Sequence, residues 1–92
     1  MIGCLTVSLH IPHAQSLKEK RQALRSLIET LRHKYNVSVA EMDLQELHQR
    51  SILGVACIAN EQAHIRQALD TVSKAIESRP ELVVCDATIE ML

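Results

Sequence analysis

The sequence predicts an α+β fold: a ferredoxin-like β-α-β-β-α-β sandwich, with a four-stranded antiparallel sheet and two helices on one face. Two observations predict it. Hydropathy periods switch between strand-like and helix-like in that order along the chain. Both helical stretches also open on residues suited to capping a helix. These elements fill all 92 residues, so residues 1–92 read as a single domain at the small end of what folds unaided.

Ile2 to Ile11 alternates, with Gly3, Leu5, Val7, Leu9 and Ile11 on one face and Cys4, Thr6, Ser8 and His10 on the other. Pro12 ends this strand because it cannot donate to a sheet ladder. Ser16 opens the first helix, and Glu19 three residues later completes a capping box. Leu17, Leu24, Leu27, Ile28, Leu31 and Tyr35 recur at helical spacing as its buried stripe. Asn36, which tolerates the left-handed conformation, is the expected C-cap. Val37–Leu44 reads as the second strand and Arg50–Ala59 as the third, joined by the polar stretch Gln45–Gln49. Asn60 is the expected N-cap of the second helix, with Glu61 complementing the dipole in its first turn. Ile65, Ala68, Leu69, Val72 and Ile76 form the second stripe; Pro80 stops the helix, and Leu82–Leu92 is the last strand.

The third strand is apolar at every position from Ile52 to Ala59, as expected of a strand covered on both faces. With both helices on one side, the other face of the sheet is left open. Cys4, Thr6, Gly54 and Ala56 are therefore the expected contacts of a homodimer built through the open sheet face. Small side chains that a monomer tolerates in solvent are the alternative.

Composition narrows the functional classes. The chain holds no Trp or Phe and a single Tyr, so its core is aliphatic and no aromatic side chain lies on a central strand to stack bases. Ten basic and eleven acidic residues nearly cancel, so the whole-molecule field recruits no polyanion. Cys4, Cys57 and Cys85, odd in number and set in apolar strands, read as buried hydrophobes of a reducing compartment. No targeting segment precedes the first strand, and no apolar run reaches the ~20 residues of a membrane span, so a cytoplasmic protein without membrane contact is expected.

Charge is nonetheless uneven. Between Ser16 and Tyr35 stand six basic residues (Lys18, Lys20, Arg21, Arg25, Arg32, Lys34) and two acids, Glu19 and Glu29. Lys18, Arg21, Arg25 and Arg32 share an arc beside the buried stripe, and side chains so spaced can follow phosphates along RNA. Lys18, Lys20, Arg21, Arg25 and Arg32 are the candidate residues for RNA or a partner. The alternative is a solvated face in which Glu29 pairs with Arg25 and Arg32. Glu41, Asp43, Gln49 and Arg50 form a second candidate group, a polar cluster at the hairpin in which Arg50 pairs with the two carboxylates.

Support for catalysis or metal binding is thin. The loop Pro12–Ser16 has no glycine with which to cradle a phosphate, and no GxSxG elbow, P-loop or HExxH sequence occurs. His10, His13 and Cys4 make a conceivable three-ligand set, but structural zinc wants four paired ligands. No cofactor, no metal and no enzymatic activity are expected.

Three stretches, Ser16-Leu17-Lys18-Glu19-Lys20-Arg21, Asn36-Val37-Ser38-Val39-Ala40-Glu41, and Gln49-Arg50 leading into Leu53-Gly54-Val55-Ala56, resemble the YlxP-like family of small bacterial proteins of unknown function. The resemblance spans essentially the whole chain. It implies a ferredoxin-like fold and a bacterial cytosolic protein. It also implies gene neighbours encoding transcription-termination and translation-initiation factors and ribosome-binding factor A. The expectation is therefore a non-enzymatic accessory protein of translation or small-subunit maturation, contacting rRNA or the small ribosomal subunit through its basic first helix. The alternative is a module that senses an anionic metabolite at a dimer interface or in the loop between the first strand and the first helix.

Overall fold

A computed structural model describes residues 1–92. The elements are β1 (Ile2–His10), α1 (Leu17–Lys34), β2 (Ser38–Asp43), β3 (Arg50–Ile58), α2 (Gln62–Glu77) and β4 (Val83–Met91). The strands form one antiparallel sheet in the order β2-β3-β1-β4, the α+β ferredoxin-like arrangement that the sequence predicts. β1 lies beside β3 from Ile2 opposite Ile58 to His10 opposite Arg50, so two nine-residue strands make the centre of the sheet.

Alternation sorts the side chains between the two faces. Leu5, Val7 and Leu9 of β1, with Leu53, Val55 and Cys57 of β3, turn toward the helices and are buried. Leu24, Leu27 and Leu31 of α1, and Ile65, Leu69, Val72 and Ile76 of α2, close over them. The core is aliphatic, as the composition requires, apart from Cys57 and the buried Lys20 and Ser51. Gly3 lets α2 approach β1: a Cβ there would collide with Ile65 Cγ2 and press on Leu69.

Several boundaries differ from expectation, each for a local reason. Ser16 caps α1 through its Oγ, which accepts from the Glu19 amide at 3.1 Å, but the Glu19 carboxylate reaches past Ser16 to accept from the Gln15 amide at 2.9 Å. Asn36 is not the C-cap. Tyr35 takes that place in extended conformation, its amide still bonded to the Leu31 carbonyl, so the chain leaves α1 without a left-handed turn. Asn60 is not the N-cap of α2 either. Met1 and Ala59 exchange backbone hydrogen bonds that prolong the sheet, so the helix starts later, with Glu61 as an N-cap whose side chain makes no capping bond.

Arg79, in the α2–β4 connection, ties that turn to α1. Its guanidinium donates to the Ser26 carbonyl and hydroxyl, to Thr30 Oγ1 at 2.9 Å and to Glu81 Oε1 at 3.1 Å. The Glu81 carboxyl is held below the ordinary glutamate range, chiefly by a hydrogen bond from its backbone amide; burial opposes this, and Arg79 adds to the lowering.

Two predictions follow from this packing. Gly3→Ala lowers the unfolding free energy by about 1–3 kcal/mol through overpacking against Ile65, measured by urea denaturation. Because the folded-state pKa of Glu81 is depressed, its contribution is present above the unfolded-state pKa and lost as pH falls through the folded value. Glu81→Gln should therefore cost stability near neutrality and cost nothing at strongly acid pH, read from denaturation curves across that range.

Candidate functional site

Helix geometry delivers the cationic face of α1. Lys18, Arg21, Arg25 and Arg32 are all exposed on it. Arg21, Arg25 and Arg32 line one hollow of about 400 Å³ between α1 and the rim of β2, together with Leu24, Ile28, Glu29 and Glu41. Lys18 stands beyond its N-terminal end. Arg32 is anchored, its Nη2 donating to the Val39 carbonyl at 2.7 Å on the outer edge of β2. Glu29 forms no ion pair with Arg25 or Arg32; the chain's ion pairs are Lys20–Glu41 and Arg79–Glu81. Lys18, Arg21, Arg25 and Arg32 thus make no ion pair, contrary to the solvated-face expectation in which Glu29 pairs with Arg25 and Arg32.

Lys20 does not belong to that face. Its side chain is fully buried, with Nζ 2.8 Å from Glu41 Oε2 and 2.7 Å from the Leu44 carbonyl. The same carboxylate oxygen accepts from the hydroxyl of Ser51, itself buried on β3, at 2.8 Å. Lys20 therefore cannot contact RNA or a partner. Its position was readable: Lys20, Leu24, Leu27 and Leu31 fall at helical spacing on one line, so this lysine occupies a core position of α1.

The expected hairpin cluster is dispersed. The β2–β3 register slips between Glu41, opposite Leu53, and Asp43, opposite Ile52. A bulge admits one extra residue and undoes the two-residue alternation. Glu41 keeps the helix side that alternation from Val39 gives it, while Asp43, past the bulge, follows Ile52 to the open face and accepts from the Leu44 amide at 2.8 Å. Gln49 reaches the other way, donating to the Pro12 and Ala14 carbonyls and pinning the β1–α1 loop. Arg50 donates to Ser8 Oγ at 3.3 Å on the open face and pairs with neither carboxylate.

On the open face, Cys4, Gly54 and Ala56 come together, as expected, with Ala40 and Met42 in a shallow groove of about 330 Å³. Thr6 lies beside it, opposite Gly54. Met42, 61% exposed, folds over Gly54, whose missing side chain leaves it room. Of the cysteines, Cys57 is buried, Cys4 is half-buried on this face and Cys85 is exposed at the irregularity of β4, so the expectation of three buried thiols fails for two of them. No three His, Cys, Asp or Glu side chains converge as a metal site would require, and no helix is long and apolar enough to cross a membrane.

Residues 2–89 match the family described as "Protein of unknown function (DUF503)". The chain belongs to that family. It is also similar to the uncharacterized protein YlxP of Bacillus subtilis (strain 168), with 34% identity over 82 residues that cover 89% of each chain. The match takes in α1, the β2–β3 hairpin and both faces of the sheet, in agreement with the YlxP-like resemblance of the sequence.

Within this family member the buried pair controls how the cationic face is presented. Glu41→Ala leaves the Lys20 ammonium buried without its counter-charge and should cost about 3–5 kcal/mol of unfolding free energy. A chain carrying Lys20→Met together with Glu41→Gln should recover most of that loss, since no buried charge remains. Urea titration of the three proteins checks both expectations.

Proposed function

We propose that this protein is a cytoplasmic, non-enzymatic accessory factor that binds the phosphate backbone of RNA through Lys18, Arg21, Arg25 and Arg32, with the small ribosomal subunit as its target. The observation that carries this reading is the row of three guanidinium groups along α1, which line one hollow, outnumber the two carboxylates there (Glu29 and Glu41) and make no ion pair. Guanidinium suits phosphate because its planar fork can donate two parallel hydrogen bonds. Leu24 and Ile28, set between these cations, give an RNA sugar edge an apolar surface to lie against. Without aromatic platforms on the sheet, affinity would come from phosphate contacts and carry little base specificity. The family resemblance supports the choice of target through the translation-related gene neighbourhood that it implies.

The metabolite-sensing alternative has less behind it. The Gln15 and Glu19 amides at the start of α1 are already bonded to Glu19 and Ser16 side chains, and the small hollow beside them is lined by two carboxylates, Glu19 and Glu81. An anion would meet occupied donors and like charge there.

Sucrose-gradient sedimentation of cell extract tests the proposal. Wild-type protein should travel with small subunits at low salt and leave them as salt rises, with a slope near −3 in log–log form for about four phosphate contacts. A variant with Lys18, Arg21, Arg25 and Arg32 changed to Glu should stay at the top of the gradient. Lys20 is kept in that variant, since changing it would unfold the chain and imitate lost binding. Wild-type protein that stays at the top even at low salt overturns the reading.

A further inference from the structure

We infer that the open face of the sheet is the interface of a homodimer, in which two sheets pack face to face and the helices lie outside. Four large apolar side chains on strands stand in solvent: Ile2, Met42, Ile58 and Val83. The register places all of them on the face away from the helices, since Ile2 lies opposite Ile58, Val83 opposite His10, and Met42 over Gly54. No helix carries a large apolar side chain so exposed. The exposed apolar side chains of the strands are thus gathered on one side of the sheet, which is the pattern of an interaction face.

Size and charge point to a second copy of the chain as the occupant. Three strands of nine residues and one of six, at ~3.4 Å per residue and ~4.8 Å spacing, make a face of roughly 500–600 Å² before side-chain relief is counted. Two such faces together pass the roughly 1,000 Å² that a stable specific interface requires. The face carries both signs of charge: Arg50 reaches Ser8, which lies opposite Asp86, while Asp43 lies opposite Ile52 and Glu90 opposite Cys4. In a two-fold pairing the Arg50 of each sheet is free to meet acidic residues of the other. A strongly basic or acidic partner would meet like charge on part of it.

In this dimer Ile58, Met42 and Ile2 leave water, and the small residues Ala56 and Cys4 let the partner sheet approach. The arrangement goes beyond the RNA-binding proposal and does not depend on it. It leaves both copies of α1 on outer surfaces, so one assembly presents two cationic faces.

Sedimentation velocity from 1 to 100 µM tests the inference. Wild-type protein should run at twice the monomer mass over most of that range. Ala56→Glu, which places a carboxylate at the half-exposed centre of the face, should run as a monomer with unchanged circular dichroism. Ile58→Glu is the second variant, at a site exposed enough in the monomer that a folding failure is not expected, and it should also run as a monomer. Cys4 alkylation, located by mass spectrometry, should be at least tenfold faster in the monomeric variants than in wild type. Wild type running as a monomer at 100 µM, or folded charge variants remaining dimeric, overturns the inference. So does equal Cys4 reactivity in dimer and monomer, because the contact would then lie elsewhere.

Discussion

The buried ion pair between Lys20 and Glu41 is the constraint on which the geometry of the cationic face depends. It joins elements distant in sequence: α1 supplies the ammonium, β2 the carboxylate, β3 the Ser51 hydroxyl and the hairpin loop the Leu44 carbonyl. A buried pair of this kind adds little net stability over a well-packed apolar substitute, because both charges must shed water. What it supplies is position. An aliphatic core of Leu, Ile and Val tolerates small rotations of a helix at modest cost, whereas an ammonium with two oxygens at 2.7 and 2.8 Å does not. The pair therefore sets the roll of α1 about its axis, and with it the direction in which Arg21, Arg25 and Arg32 project.

The same contact accounts for an unusual backbone. Leu44 has φ of 64°, the left-handed region that side chains other than those of Gly, Asn and Asp rarely adopt. That conformation costs about 1–2 kcal/mol. It turns the Leu44 carbonyl inward, where Lys20 donates to it, and a hydrogen bond from a charged donor contributes about 1.5–3 kcal/mol. The Asp43 carboxylate holds the Leu44 amide from the other side. Strain in the turn is thus offset by bonds that exist only when the hairpin closes over Lys20. This links the slip in register between Glu41 and Asp43 to the placement of a side chain on α1.

Most of the fold was legible because it rests on short-range periodicity. The alternation of β1, the apolar continuity of β3 and the helical stripes of α1 and α2 each report locally on which side must be dry. The bulge was not legible. A single extra residue leaves no mark on composition, and without it Glu41 and Asp43 read as neighbours on one face. Lys20 differs for another reason: its charge suggests an exposed contact residue, while its position does not. Its spacing to Leu24, Leu27 and Leu31 placed it in the core, and a buried ammonium implies an acid on a facing element. Glu41, two residues after the buried Val39 on the same strand, was the nearest such acid. The Asn60 cap failed because residue preference at a helix end yields to the sheet hydrogen bonds between Met1 and Ala59; at Asn36 the chain has already left the helix, in extended conformation at Tyr35.

The two faces of the domain obey different physics, and the layer between them keeps them apart. The proposed attraction between the α1 guanidinium groups and phosphate is long-ranged and weakens as salt rises, because the counterions released on binding then gain less entropy. In the proposed dimer, contact through Ile58, Met42 and Ile2 is short-ranged, and excluded salts strengthen it rather than weaken it. A single-layer sheet with helices on one side is suited to this division, since every strand residue that turns away from the helices is free for a second surface. Edges complete the separation. β2 is six residues long, bulged, and blocked at Val39 by Arg32, which discourages strand addition at that margin. Arg32 thus serves the cationic face and guards the sheet edge with one side chain. Its loss should therefore disturb both surfaces, whereas Arg25, which makes no hydrogen bond or ion pair within the chain, acts on the cationic face alone.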